Sequence, residues 1–193
     1  MKFFPSSALL QLEYNKVKDL LALHCRTEYA KDKATNLRIH TKKEFIEKEL
    51  QPYIEKKYRT TTSKTIIGES LGGLLATEIL IKKPTLFSKY IIVSPSLWWD
   101  NGSLLNQASD ILQDNFPQKT DIYIGCGKEG LGPSDIPHVM EVDANLLAEK
   151  IKNSKSKSVN VYFDYLPQED HATIEHQAVY NAFRIFHSTT TDY

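Results

Sequence analysis

The chain has 193 residues, which suits a single domain with a sizeable core. Its 24 Lys and Arg residues balance 24 Asp and Glu residues, so no overall field would attract nucleic acid or an anionic membrane. We therefore expect a small-molecule partner, with no nucleic acid and no membrane involved.

The cysteines and the N-terminus bear on the compartment. Cys25 and Cys126 lie far apart in different kinds of segment, which favours reduced thiols over a disulfide framework. Residues 1–10 contain apolar side chains, but Pro5 interrupts them and Glu13 follows, so we expect no signal peptide. No apolar run approaches the ~20 residues that span a bilayer. The expected location is cytoplasmic.

The first third of the chain shows helical periodicity without evident chemistry. Apolar residues at helical intervals predict an amphipathic helix over residues 6–27, and the polar residues 28–43 indicate a surface connection. Thr41 and Glu44 have the spacing of a capping box, which predicts the start of a second helix. Pro52 is expected to kink that helix.

A Gly-x-Ser-x-Gly motif at residues 68–72 is preceded by β-branched residues and followed at once by an apolar, helix-forming segment. This is the context of a nucleophile elbow, with Ser70 at a sharp turn between strand and helix. Gly68 and Gly72 are expected because the turn leaves no room for side chains, and Gly73 lets the helix lie close to the sheet. The alternative is a chance match in a glycine-rich loop, which the flanking segments disfavour.

Three further β-branched runs alternate with helical segments in the rest of the chain. Strands are predicted near residues 90–94, 121–127 and 159–163, and helices near residues 104–112, 136–152 and 174–187. Val142 and Leu146 are among the residues at helical intervals in the middle helix. The alternation predicts an α/β fold, a mainly parallel sheet with helices on both faces in three layers, with right-handed crossovers.

Two tryptophans follow the strand at residues 90–94. Ligands in open α/β sheets bind at the carboxyl ends of the strands, so Trp98 and Trp99 are candidates for walling a substrate pocket. The alternative is that one or both cover the core, because adjacent side chains diverge.

Candidate catalytic residues follow three of the predicted strands in the order serine, acid, histidine, as in the α/β-hydrolase fold. Ser70 would attack an ester carbonyl, His171 would transfer its proton, and an acid would orient the imidazole. Glu129 is favoured as the acid because it follows its strand most directly. Asp135 lies further into the loop and remains an alternative, as does a dyad without an acid, whereas Asp170 is too near His171 to orient it.

The expected oxyanion hole is incomplete. One donor would be the backbone N–H of Leu71, next after the nucleophile, and the other would come from a loop after an earlier strand, which the sequence does not reveal. No histidine or cysteine spacing matches a zinc site, so we expect neither metal nor cofactor.

Several spaced motifs resemble the putative-esterase family of α/β-hydrolases, which includes siderophore (enterobactin and bacillibactin) esterases and relatives of S-formylglutathione hydrolase. The similarity covers about residues 41–187. It implies a serine hydrolase that cleaves siderophore-like or other small carboxylic esters, with Glu69, Trp98 and Trp99 in substrate binding. The same triad could serve an acyltransferase or a thioesterase. The motifs are those at residues 45–54, 58–60, 66–74, 86–90, 94–99 and 169–171.

Residues 1–40 depart from this resemblance, because the family has a run of strands before the second helix and this segment is short and helical. The chain therefore resembles the C-terminal part of such an enzyme. Ile66 and Ile67 would lie on an open sheet edge, which invites association. We expect the N-terminal helix or a second copy of the chain to cover it. The alternative to an active esterase is a weakly active or non-catalytic homologue that acts by binding.

Overall fold

A computed structural model describes residues 42–154 and 156–188 of the protein. The chain divides between Thr62 and Ser63 into two units. The predicted helix over residues 6–27 and the capping residue Thr41 lie outside the described residues.

The described part of the first unit is helical. Residues 42–45 lead into a π-helical turn, Ile46–Leu50, and then into helix α1, Gln51–Lys57. The Gln51 N–H donates to the Ile46 carbonyl, five residues earlier. Pro52 lacks an N–H and its ring crowds the carbonyl four residues before it, so a wider turn at this point accommodates the proline. The predicted helix is confirmed, with this irregularity beside Pro52.

The second unit is a four-stranded parallel sheet in the order β1-β2-β3-β4. This confirms the predicted α/β fold with a parallel sheet. Within the described part of the chain, no helix combines the length and apolarity needed to cross a membrane. The elements are β1 Thr65–Glu69, α2 Leu71–Lys82, β2 Lys89–Val93, β3 Thr120–Gly127, α3 Met140–Lys152, β4 Val159–Leu166 and α4 Ile174–Ser188.

The central strands β2 and β3 are buried on both faces, as their continuous apolar sequences predict. On one face, Ile91, Val93 and Tyr123 pack against α4 through Ile174, Ala178, Ala182 and Phe186. On the other face, Tyr90 is fully buried and donates its hydroxyl to the Pro84 carbonyl just after α2. Helices therefore cover both faces, and the carboxyl ends of all four strands meet at one edge.

The predicted helix over residues 104–112 is wrong. The segment contains two short 3₁₀ helices, Trp99–Asn106 and Asp110–Leu112. Asp100, Asn101 and Gly102 all have positive φ, which interrupts helical backbone at the start of the segment. Asn, Ser and Asp residues compete for backbone hydrogen bonds there, and Ser109 caps the second 3₁₀ helix by accepting from the Ile111 N–H.

Helix α3 begins at Met140, later than the predicted residue 136, and presents a different face to the sheet. Val142 and Leu146 are more than half exposed. The buried face instead carries small and apolar residues together with one acid, namely Met140, Asp143, Ala144, Leu147, Ala148 and Ile151. Asp143 is tolerated in this face because it pairs with His138 at 2.7 Å.

Strand β1 lies at the edge of the described sheet. It pairs with β2 alone among the described strands, and Ile67 is 38% exposed. Covering of this edge by the N-terminal helix or by a second chain remains a prediction.

Candidate active site

Ser70 occupies the turn between β1 and α2 in a conformation that non-glycine residues rarely adopt, with φ 56° and ψ −118°. The turn is tied to the neighbouring strand by a 3.0 Å hydrogen bond from the Ser70 N–H to the Val93 carbonyl. Serine at the start of a helix commonly caps it, yet the Ser70 side chain makes no capping bond to α2. The hydroxyl instead points to a histidine.

Two of the three glycines of the turn lie where a side chain would meet close neighbours. A Cβ at Gly68 would lie 2.2 Å from the Gly72 carbonyl oxygen, and a Cβ at Gly73 would lie 3.0 Å from the Val93 carbonyl oxygen. A Cβ at Gly72 would meet nothing within 4 Å. The expectation that Gly72 must lack a side chain is therefore wrong: its carbonyl, and not its Cα, faces the crowded side.

A continuous hydrogen-bond chain joins three side chains at the carboxyl edge of the sheet. His171 Nε2 lies 3.0 Å from Ser70 Oγ, and His171 Nδ1 lies 2.6 Å from Glu129 Oε2. The Glu129 side chain is 3% exposed and that of His171 is 45% exposed. A buried acid, an imidazole and a hydroxyl in this order can pass a proton from the hydroxyl to the imidazole and stabilise the resulting imidazolium.

The pKa values of the acid and the histidine move apart. Burial alone would raise the pKa of Glu129, but hydrogen bonds from His171 and Ser94 hold it below its ordinary value. The hydrogen bond to Glu129 raises the pKa of His171, against the opposing effect of burial, and the nearby carboxylates of Glu69 and Asp170 raise it further. Glu129 therefore remains charged, and the pair stabilises a proton on the imidazole.

Glu129 is carried by residues 128–139, which we call the acid loop. The Lys128 N–H donates to the Glu169 carbonyl at 2.9 Å, which ties the start of the loop to the turn before α4. Gly130 has φ 74°, its N–H donates to Glu141 Oε2 at 2.9 Å, and Leu131 bridges Val139 in antiparallel fashion. The loop is thus anchored on both sides of the acid.

Both nitrogens of the His171 imidazole are hydrogen-bonded to residues other than the remaining candidate acids. Asp135 lies in the exposed part of the acid loop. Asp170 Oδ1 accepts from the backbone N–H groups of Ala172 at 2.8 Å and Thr173 at 3.2 Å. Asp170 therefore shapes the turn that presents His171 at the start of α4, a role that residue spacing does not reveal.

Sequence reasoning missed Ser94 and Ser96. Ser94 donates its hydroxyl to Glu129 Oε1, and Ser96 Oγ lies 3.4 Å from Ser70 Oγ. Both serines are buried, with exposed fractions of 0% and 2%. Their signal in the sequence is a Ser-Pro-Ser run directly after a buried parallel strand, at the edge where ligands bind in such sheets.

A cavity of about 460 Å³ opens beside Ser70 and His171. Trp98 lines it, whereas Trp99 does not and packs against Trp98 with ring centroids 5.6 Å apart. The Trp98 Nε1 atom is buried without a hydrogen-bond partner in the described structure. The lining consists of Ser70, Ser96, Trp98, Lys128, Glu129, Pro133, Met140, Asp170, His171 and Ala172.

Two further predicted site residues flank the nucleophile. Glu69 is not part of the cavity lining; burial raises its pKa, which the positive potential of His171 opposes. Leu71 is the first residue of α2, so its N–H has no acceptor within the helix and remains a candidate oxyanion donor. No strand precedes β1 among residues 42–154 and 156–188, so the loop expected to carry the second donor is not among them.

The sequence also matches the model of a known family. The family model described as "Putative esterase" matches residues 15–174. The chain belongs to the putative esterase family. The match begins well before residue 41, so part of the N-terminal segment that we took as atypical is included in the family pattern.

Two relatives of the chain are siderophore esterases by name. Ferri-bacillibactin esterase BesA of Bacillus subtilis is 36% identical over 93 residues, which are 48% of this chain and 28% of that protein. Siderophore enterobactin esterase of Emericella nidulans is 40% identical over 67 residues, which are 33% of this chain and 22% of that protein.

Solved structures share the fold. BES protein from Bacillus cereus superposes with a TM-score of 0.61 and 30% identity, covering 75% of this chain and 53% of that one. An IroE-like serine hydrolase from Shewanella oneidensis gives a TM-score of 0.60 and 28% identity, covering 74% and 45%. The chain thus spans about half the length of these structures.

Proposed function

We propose that the protein is a serine hydrolase that cleaves carboxylic esters, with Ser70 as the nucleophile, His171 as the general base and acid, and Glu129 as the orienting acid. The observation that carries this proposal is the hydrogen-bond chain from Ser70 through His171 to Glu129 beside a cavity. The strained Ser70 backbone and the absence of a capping bond from its hydroxyl support it.

The reaction follows from these positions. Ser70 Oγ attacks the ester carbonyl carbon while its proton moves to His171 Nε2, and the Leu71 N–H donates to the oxygen that becomes negative. The tetrahedral intermediate collapses, the C–O bond to the alcohol breaks, and Nε2 returns the proton to the departing alcohol. Water then attacks the acyl group on Ser70 Oγ, again giving a proton to Nε2, and the carboxylic acid leaves as Ser70 regains its hydroxyl.

We infer that the substrate is a siderophore-like or other small ester. The names of the relatives BesA and enterobactin esterase support this class. The cavity volume of about 460 Å³ lies within the range of pockets that hold small molecules, and the Trp98 indole offers a flat apolar wall. A stacked wall of this kind suits an ester with a planar acyl or aryl group.

The test is hydrolysis of an aryl acetate combined with labelling by a fluorophosphonate. We expect a burst of aryl alcohol and a covalent label on Ser70, both lost in Ser70→Ala and strongly reduced in His171→Ala. Ser109→Ala is the matched control, because Ser109 is also a buried serine but bonds the Ile81 carbonyl, away from the site. A wild-type protein that is folded yet takes no label contradicts the proposal.

A weakly active or non-catalytic homologue that acts by binding is the second candidate. The observation that favours it is the single candidate oxyanion donor, Leu71, among the described residues. Loss of one such donor typically lowers turnover ~100- to 1000-fold. Labelling of Ser70 with turnover reduced to this extent supports weak activity, whereas saturable ester binding without labelling supports a binding role.

A further inference from the structure

Ser94, the residue directly after β2, has an unusual backbone conformation and a completely buried side chain. Its φ is 41°, in the region that favours glycine. A non-glycine residue is strained there, so it persists only where the surroundings fix it. The Ser94 N–H donates to the Gly125 carbonyl at 2.8 Å, which ties this turn to β3.

The Ser94 side chain completes the environment of the buried acid. Glu129 Oε2 faces His171 Nδ1, while Glu129 Oε1 accepts from Ser94 Oγ and lies 3.8 Å from the Cys126 thiol. Since the carboxylate is 3% exposed, these donors replace the water that would otherwise solvate its charge. Each carboxylate oxygen thus has a defined and different partner.

The same turn also touches the nucleophile. The Val93 carbonyl, next to Ser94, accepts from the Ser70 N–H at 3.0 Å. The end of β2 therefore lies between the elbow on one side and the acid on the other. A rotation of the Glu129 carboxylate about its terminal bond would move Oε2 away from Nδ1, and a hydrogen bond to Oε1 opposes that rotation.

We propose that Ser94 is a positioning residue, whose hydroxyl holds the Glu129 carboxylate in the orientation that His171 requires. This inference rests on the proposed function, because it assigns Ser94 a part in the same site. Ser94 itself does not contact the substrate and acts only through Glu129. The competing explanation is that Ser94 matters only for the backbone turn.

Two substitutions distinguish a role of the Ser94 hydroxyl from a role of the Ser94 backbone conformation. Ser94→Ala removes the hydroxyl and keeps the strained φ, whereas Ser94→Gly removes the hydroxyl and relieves the strain. We expect both to lower kcat about 10- to 100-fold with little change in KM, since a buried carboxylate loses a hydrogen bond. Thermal unfolding should show Ser94→Gly to be the more stable of the two. Wild-type kcat in Ser94→Gly would overturn the proposal in favour of the backbone explanation.

Action through the acid is tested by combining Ser94→Ala with Glu129→Ala. Once the carboxylate is absent, the Ser94 substitution should change kcat by less than about 2-fold, because coupled residues are not additive. A further loss in the double variant equal to that in the single variant would overturn the proposal. Ser109→Ala again serves as the buried-serine control with unchanged kcat.

A proton NMR measurement tests the positioning role of Ser94 without relying on ester hydrolysis. The hydrogen-bonded Nδ1 proton of His171 should give a downfield resonance that is absent in His171→Gln. We expect it to be lost or broadened in Ser94→Ala and retained in Ser109→Ala. If the protein hydrolyses no ester and this pattern is still seen, the proposed function fails and the positioning role of Ser94 stands. An unchanged resonance in Ser94→Ala overturns the positioning role, whether or not esters are hydrolysed.

Discussion

The elbow at residues 68–73 and the acid loop at residues 128–139 meet at the same edge of the sheet but are held in place in different ways. In the elbow, the close contact joins Gly68 to the Gly72 carbonyl within a few residues. In the acid loop, Glu129 depends on Ser94, 35 residues before it, and on His171, 42 residues after it. The tightest contact of the elbow is therefore local, with Val93 at the end of β2 as an added tertiary contact, whereas the acid is oriented by Ser94 and His171 from distant parts of the chain.

Because of this difference, we expect substitutions in the elbow and substitutions of the acid to change different measured quantities. The crowding in the elbow involves backbone atoms, namely the Gly72 carbonyl at Gly68 and the Val93 carbonyl at Gly73, so a side chain added at either glycine disturbs the fold. The acid loop has an exposed outer part, and its functional content is the orientation and charge of one carboxylate. We therefore expect a side chain at Gly68 or Gly73 to lower the free energy of unfolding, and substitutions of the acid to lower turnover with the fold intact.

The largest effect in this comparison should come from Glu129→Gln. An amide at this position favours the wrong imidazole tautomer, and we expect kcat to fall on the order of 1000- to 10,000-fold. Asp135→Asn, a matched change at the exposed part of the same loop, should leave kcat for aryl acetate hydrolysis unchanged. Equal losses in the two variants would contradict the assignment of Glu129 as the acid.

The pH dependence of kcat/KM tests the same assignment of Glu129, because it predicts the direction in which the acidic limb moves. His171 must be neutral to accept the Ser70 proton, and Glu129 raises the pKa of His171 above the ordinary value of 6.5. The acidic limb of kcat/KM in the wild type should therefore lie above pH 6.5. In Glu129→Gln the largest cause of the raised His171 pKa is gone, so the limb should move to lower pH. A limb that stays in place would show that the acid does not govern the imidazole.

Gly68→Ala and Gly72→Ala test the elbow with one chemical change at two sites. The new Cβ at position 68 would overlap the Gly72 carbonyl, so we expect a loss of about 3 kcal/mol in the free energy of unfolding. The Cβ at position 72 meets nothing within 4 Å inside a helix, so a gain of about 0.5–1 kcal/mol is expected there. Denaturant unfolding measures both. Equal destabilisation would mean that both glycines are needed for space.

The sequence predicted the elbow better than it predicted the surroundings of the acid. The elbow, the parallel strands and the meeting of Ser70 with His171 were predictable because strand ends in such a sheet converge on one edge. The choice of Glu129 over Asp135 remained open, because loop conformation decides which carboxylate turns inward. Ser94 was not predicted, since its role depends on a positive φ and on a partner from another strand.

The errors in secondary structure have local causes. In place of the helix predicted over residues 104–112, one 3₁₀ helix ends at Asn106 and a second, capped by Ser109, covers Asp110–Leu112. In α3, Val142 and Leu146 are exposed, while Leu147 and Ile151 are buried together with Ala144 and Ala148. Apolar periodicity alone does not identify which of two faces meets the sheet.

The smallest effect should come from substitutions of Gly130, next to the acid. They test whether the acid loop accepts a side chain more readily than the elbow does. Gly130 has φ 74°, and a Cβ there meets nothing within 4 Å, so only backbone conformation opposes a side chain. We expect Gly130→Ala to lower the free energy of unfolding by about 1 kcal/mol. Gly130→Asn should lower it by roughly half as much, because asparagine enters the left-handed region more readily. Thermal unfolding gives this order. A loss at Gly130→Ala as large as that at Gly68→Ala would mean that the acid loop is as rigid as the elbow, and the contrast between the two regions would not hold.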